Sequence, residues 1–153
     1  KLADKEYISQ RMSPTMYTSV AARSANAYQR VAVDTALDAA SPHQLVVMLF
    51  DELLRSLESA RRAIARGDVP DKVKHIGKAL RIVEEGLRAP LNLEAGGELA
   101  ANLHALYEYC SHKLVLANVR SDAAALQEVA SLIARIAESW KQIEGASHVS
   151  SAS

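Results

Sequence analysis

From residue 41 onward, apolar residues recur every three or four positions, the spacing that keeps one stripe on one face of a helix. The first such run opens at Ser41-Pro42-His43-Gln44. Ser41 can cap a helix, Pro42 fits its first turn without losing a hydrogen bond, and Gln44 completes a capping box. The pattern continues to Arg66, and Gly67 is a natural stop. A second run begins near Asp68-Val69-Pro70 and ends before Pro90, with Val73, Ile76, Leu80, Val83 and Leu87 as its stripe. A third starts within NLEAGGELA, where Gly96-Gly97 blur the boundary, and carries Leu99, Leu103, Leu106, Cys110, Leu114 and Ala117. The fourth starts around Ser121-Asp122 and carries Leu126, Val129, Ile133, Ile136, Trp140 and Ile143, with Gly145 as its expected end.

Four amphipathic segments with short connections predict an all-α fold, a mostly antiparallel four-helix bundle spanning residues 41–144. Residues 1–15 are mixed and polar and read as a lead outside the fold. Residues 16–40, weakly helical at best, read as an N-terminal cap segment, and 145–153 as a flexible Ser-rich tail. The first long run is too apolar for one seam. Leu45, Val46, Met48, Leu49, Phe50, Leu53, Leu54, Leu57 and Ile64 wrap about half its circumference at ~100° per residue. Such a helix is either central in the bundle or partly open to a partner.

Composition narrows the function. Lys plus Arg and Asp plus Glu both number 18, and no basic block appears, which argues against nucleic acid as a partner. No apolar run approaches the ~18–20 residues of a membrane span. The lone cysteine suits a reducing compartment, so a cytoplasmic protein without membrane insertion is expected.

Candidate chemistry concentrates in LHALYEYCSHKLVLAN, residues 103–118. His104, Glu108 and His112 share a helical face, but the two histidines would stand about 12 Å apart along the axis, too far to share an ion. A ferritin-like di-iron site needs Glu-x-x-His, and none of the five histidines has a glutamate three positions earlier. Walker-type loops and nucleophile elbows are also missing. No enzyme, metal or cofactor is therefore expected, with a metal oxidase as the least implausible enzymatic form. Cys110 lies on the leucine seam and reads as a small core hydrophobe, and Trp140 as a bundle knob. Tyr107 and Tyr109 point about 200° apart on a helix, and for each, core packing and partner contact stand level.

The stretch SPHQLVVMLFDELLRSLESARRAIARGD resembles the opening helix of the FliS-type flagellin export chaperones. The resemblance continues through HIGKALRIVEEGLRAPLNLEAGGELAANLHALYEYCSHKLVLANVRSD to EVASLIARIAESWKQI, and NAYQR is similar to the family's N-terminal tyrosine motif. It covers Tyr28 to Ile143. Phe50 stands where the family commonly has tyrosine, and Cys110 where methionine is usual. The resemblance implies a non-enzymatic cytoplasmic chaperone. Such a chaperone binds the disordered C-terminal segment of flagellin, prevents premature polymerisation and presents its client to the flagellar type III export apparatus, with export-gate components as further partners. From the matched motifs, Tyr28, Met48, Phe50, Leu54, Tyr107, Leu114 and Asn118 are the expected client-contact residues, Tyr28 as a movable cap over the groove. The competing reading is a helical scaffold that self-associates through its wide apolar face.

Overall fold

A computed structural model of the chain describes residues 41–151, with side chains described to residue 143. The lead, the cap segment and Tyr28 lie outside the described residues. Helix α1 spans Pro42–Ala65, α2 spans Val69–Arg81 and runs on as a π-helical segment over Ile82–Arg88, α3 spans Leu93–Arg120, and α4 spans Ala123–Ser151.

The boundaries follow from local chemistry. Ser41 Oγ accepts from the Gln44 N–H at 3.2 Å while Gln44 Oε1 accepts from the Ser41 N–H at 3.0 Å, the reciprocal box that the sequence predicts. At the other end, Asp68 N–H reaches the Ala63 carbonyl at 2.9 Å and Gly67 N–H reaches Ile64 at 3.1 Å. This is a Schellman stop, and it needs the left-handed backbone that Gly67 adopts at φ +70°. Asp68 then caps α2 by accepting from the Asp71 N–H. Asn92 caps α3 in the same way, and the chain kinks at Gly97, whose φ of 56° and ψ of −136° suit only glycine. This kink is what blurs the start of α3 in the sequence.

Contacts run α1 to α2, α2 to α3, α3 to α4 and α4 back to α1. Each pair is antiparallel, as cross-links at matched heights show. Glu52 meets Lys78 and Arg66 meets Asp71 between α1 and α2, Arg88 lies beside His104 and Lys72 beside Asn118 between α2 and α3, Lys113 meets Glu128 between α3 and α4, and Lys141 approaches Asp51 between α4 and α1. The bundle is up-down-up-down. At one end His43 and Trp140 stack with ring centroids 4.8 Å apart. The His43 Nε2–H donates to the Trp140 carbonyl at 2.9 Å, and the Trp140 indole N–H donates to the His43 carbonyl at 3.2 Å. The pair joins the first turn of α1 to α4.

The seams match the predicted ones except in three places. On α2, Val73 is exposed, and the buried line runs instead through Lys72, Ile76 and Ala79 into Ile82, Val83, Gly86 and Leu87. Lys72, Ile76, Ala79 and Val83 are themselves a regular 4-3-4 stripe, one position round from the predicted one. The π-helical segment that follows, where Ala89 N–H bonds five residues back to Glu84 at 2.9 Å, brings Ile82 and Gly86 into the core beside Val83 and Leu87. One extra residue per turn shifts the phase of a 3.6-residue stripe. The segment also seats Gly86 on α1: a Cβ there would lie 3.3 Å from a Leu49 methyl. On α3, Tyr107 is buried and Leu106 only half-buried, so the tyrosine takes the seam position. On α4, Gly145 does not end the helix, whose backbone continues to Ser151. Glycine weakens a helix interior by about 1 kcal/mol but stops it only where the chain turns left-handed.

Candidate partner-binding surface

The core accounts for most of the apolar arc of α1. Leu45, Val46, Leu49, Phe50, Leu53 and Leu57 are buried where α1 meets α2 and α4. Met48 and Leu54 remain half-buried on its shoulders, packed against that core. Of the residues expected to meet a client, Phe50, Tyr107 and Leu114 are interior side chains. Helical rotation alone does not distinguish a central helix from one open to a partner, which is why the sequence set these residues beside Met48 and Leu54. Asn118 is half-buried, and its Oδ1 is shielded from solvent and has no hydrogen-bond partner among the described residues.

The exposed apolar side chains lie elsewhere: Leu93 at the start of α3, and four valines. Val69 and Val73, one turn apart on α2, are 56% and 48% exposed, while Val115 and Val119, one turn apart on α3, are 49% and 78% exposed. Lys72 marks their common end of the bundle, its ammonium donating to the Asn118 carbonyl and to Ser121 Oγ, each at 2.8 Å. These bonds place the start of α2 beside the end of α3, so both valine pairs stand at the same end of the α2–α3 ridge. Gly77 extends the α2 row by one more turn, and a Cβ there would meet nothing within 4 Å. The sequence carried a signal for half of this surface. Val115 and Val119 stand off the leucine seam of α3, whereas Val73 falls on the stripe that the sequence predicts for the core.

The two tyrosines divide as their 200° separation requires. Tyr107 is buried, and desolvation raises its phenol above the ordinary tyrosine range, the nearby Cys110 adding to the shift. Tyr109 is 41% exposed and donates to Glu128 on α4, with Lys113 3.3 Å from the same carboxylate and 5.8 Å from the tyrosine ring centre. The hydrogen bond to Glu128 raises the Tyr109 phenol, and the same bond lowers the Glu128 carboxyl. Lys113 is raised by its bond to Glu128. The triad ties α3 to α4 at the surface.

The polar stripe of α3 also has a structural partner. Glu84 in the π-helical segment accepts from Arg88 and from Ser111. Arg88 reaches His104 at 3.4 Å and Glu108 at 3.5 Å, and His104 lies 3.7 Å from Glu108. His104 and Glu108 are therefore tied into the contact between α2 and α3. Among the described residues, no group of three or more His, Cys, Asp or Glu side chains is placed to hold a metal ion. Cys110 is a buried free thiol, and burial pushes it up to about 11, opposite to the shift a reactive thiolate needs. No helix among the described residues is long and apolar enough to cross a membrane.

An all-α antiparallel bundle with a filled interior and an exposed valine ridge has the form of a helical binding protein. The model of the family "Flagellar protein FliS" matches residues 24–147, and the chain belongs to that family. The chain is 47% identical over 128 residues to the flagellar secretion chaperone FliS of Salmonella typhimurium, covering 84% of this chain and 93% of the relative. It is 40% identical over 122 residues to the flagellar secretion chaperone FliS of Escherichia coli, covering 80% and 90% respectively. To the flagellar secretion chaperone FliSB of Pseudomonas aeruginosa it is 41% identical over 121 residues, covering 79% and 93%. Family membership accords with a chaperone role in flagellar export.

Proposed function

We propose that this chain is a non-enzymatic cytoplasmic chaperone that binds the disordered C-terminal segment of flagellin, keeps it from polymerising early and delivers it to the flagellar type III export apparatus, where export-gate components are further partners. The observation that carries the reading is the exposed valine ridge of α2 and α3 on a bundle whose family members are named for flagellar secretion. An amphipathic client segment can lay its apolar side chains along such a ridge.

Magnitudes say how far the contact must extend. Covering the exposed half of each valine contributes about 1 kcal/mol, so the ridge supplies roughly 4 kcal/mol in all. Ordering a disordered client costs about 1–2 kcal/mol per residue of backbone. A client of ten or more residues therefore needs contacts beyond the ridge. Met48 and Leu54, half-buried on α1, and the carboxamide of Asn118 beside the ridge are the contacts we assign to it, with Tyr28 as the movable cap. Phe50, Tyr107 and Leu114 support this surface from the core.

Titration calorimetry with the C-terminal segment of the same bacterium's flagellin tests the reading. Binding should be one-to-one with a large negative heat-capacity change. No binding at micromolar concentration, or self-association of the chain in place of client binding, would overturn it. For Tyr28 the decisive variant is Tyr28→Ala: unchanged client affinity together with unchanged protease sensitivity of the N-terminus would exclude the cap.

A further inference from the structure

Lys72 is the only buried lysine or arginine among the described residues, at 6% exposure. Burying an ammonium is unfavourable unless its donors are satisfied. Its two acceptors are neutral: the Asn118 carbonyl in the last turn of α3, and the hydroxyl of Ser121. The C-terminal end of a helix carries partial negative charge on its unpaired carbonyls, so the cation also complements the dipole of α3. Ser121 is the one described non-glycine residue with positive φ, at 51°, and the turn it makes lets Asp122 N–H close on the Ala117 carbonyl at 3.1 Å. A buried charge and a left-handed serine thus meet at one point.

That point lies between the two halves of the valine ridge. Lys72 is one position from Val73 and three from Val69, and the carbonyl it holds belongs to Asn118, one position from Val119 and three from Val115. We propose that Lys72 is the positioning residue of the client surface: its bonds to Asn118 and Ser121 set the spacing and register of the valine pair on α2 against the pair on α3. The inference rests on the reading that the ridge receives the flagellin segment.

The test is a double-mutant cycle in client affinity, made on the full chain with the flagellin C-terminal peptide as probe and urea unfolding measured alongside. Lys72→Met keeps the apolar stem and removes the ammonium, and should weaken binding about tenfold or more. Val119→Ser should weaken it about fivefold. Lys72→Met made in the Val119→Ser background should then cost only two- to threefold more, because Lys72 acts through the valines. A role confined to stability would shift the urea midpoint and leave the single and double variants multiplicative in affinity. If Lys72→Met does not fold, Ser121→Gly removes one acceptor and relieves the left-handed backbone, and should still cost several-fold in affinity. Wild-type affinity in Lys72→Met, multiplicative losses in the cycle, or wild-type affinity in Ser121→Gly where Lys72→Met is unfolded would each overturn the proposal. Failure of the wild-type chain to bind the peptide would instead overturn the client reading beneath it.

Discussion

Cys110 is apolar in behaviour because its surroundings withhold the charged form. Its thiol is buried and raised to about 11 from an ordinary 9.0, mainly by desolvation. Native protein at pH 8 should therefore react with a thiol reagent at the rate of unfolding, while urea-unfolded protein reacts at once, which absorbance of the released thiolate measures. The sign of the pH effect follows from the same shift. A folded value above the unfolded one means that the unfolded chain releases its proton first, so stability present below pH 9 is lost as the pH rises towards 11. Tyr107, raised in the same direction, adds to the loss at higher pH. Urea titrations at pH 8 and 10.5 should show a lower midpoint at the alkaline pH, and Cys110→Ala should reduce the difference. Gly86 makes a steric argument instead. Its missing Cβ would stand 3.3 Å from a fully buried Leu49 methyl, so Gly86→Leu should overpack the α1–α2 interface and destabilise by about 1–3 kcal/mol in urea unfolding.

At the scale of elements, each helix end carries its own device, and two are open to direct measurement. Ser41→Ala removes the hydroxyl that accepts from the Gln44 N–H and leaves the backbone N–H that donates to Gln44 Oε1. It therefore breaks one half of the capping box at the start of α1 and should cost about 1 kcal/mol of unfolding free energy. Trp140→Phe keeps a ring beside His43 and removes the indole donor from the His43 carbonyl, and should cost about another 1 kcal/mol. Both act near one end of α1, but through different partners. Their effects should add within about 0.5 kcal/mol if the cap and the ring pair are independent. The π-helical segment is the element that breaks the regular pattern. It lets Ile82, Val83, Gly86 and Leu87 all enter the core within two turns.

For the whole molecule, the closed ring of four antiparallel contacts leaves the interior filled and moves the question of function to the outside. The ridge of Val69, Val73, Val115 and Val119 should be energetically separable from the fold. Val73→Ser and Val119→Ser together should lower affinity for the flagellin segment by tenfold or more while changing the urea midpoint little, because exposed side chains contribute little to folding stability. Leu114→Ala, in contrast, removes a fully buried side chain and should destabilise by about 2–5 kcal/mol. The contrast between these variants separates surface from scaffold.

The sequence by itself determined the four helical segments, the cap at Ser41, the Gly67 stop and most of the core seams of α3 and α4, because these depend on residues within a turn or two of one another. Its resemblance to the flagellin chaperones also agreed with the family to which the chain belongs. Tertiary structure decided the rest. Phe50, Tyr107 and Leu114 are interior because α1 is packed on two sides and α3 turns Tyr107, not Leu106, towards the core. Val73 is exposed because α2 turns the Lys72, Ile76 and Ala79 side inward, a choice between two regular stripes that spacing alone leaves open. The two valine pairs share one end of the bundle because α2 packs antiparallel on α3, with Lys72 bonded 46 residues along the chain to the end of α3, a contact between distant residues that no local periodicity encodes.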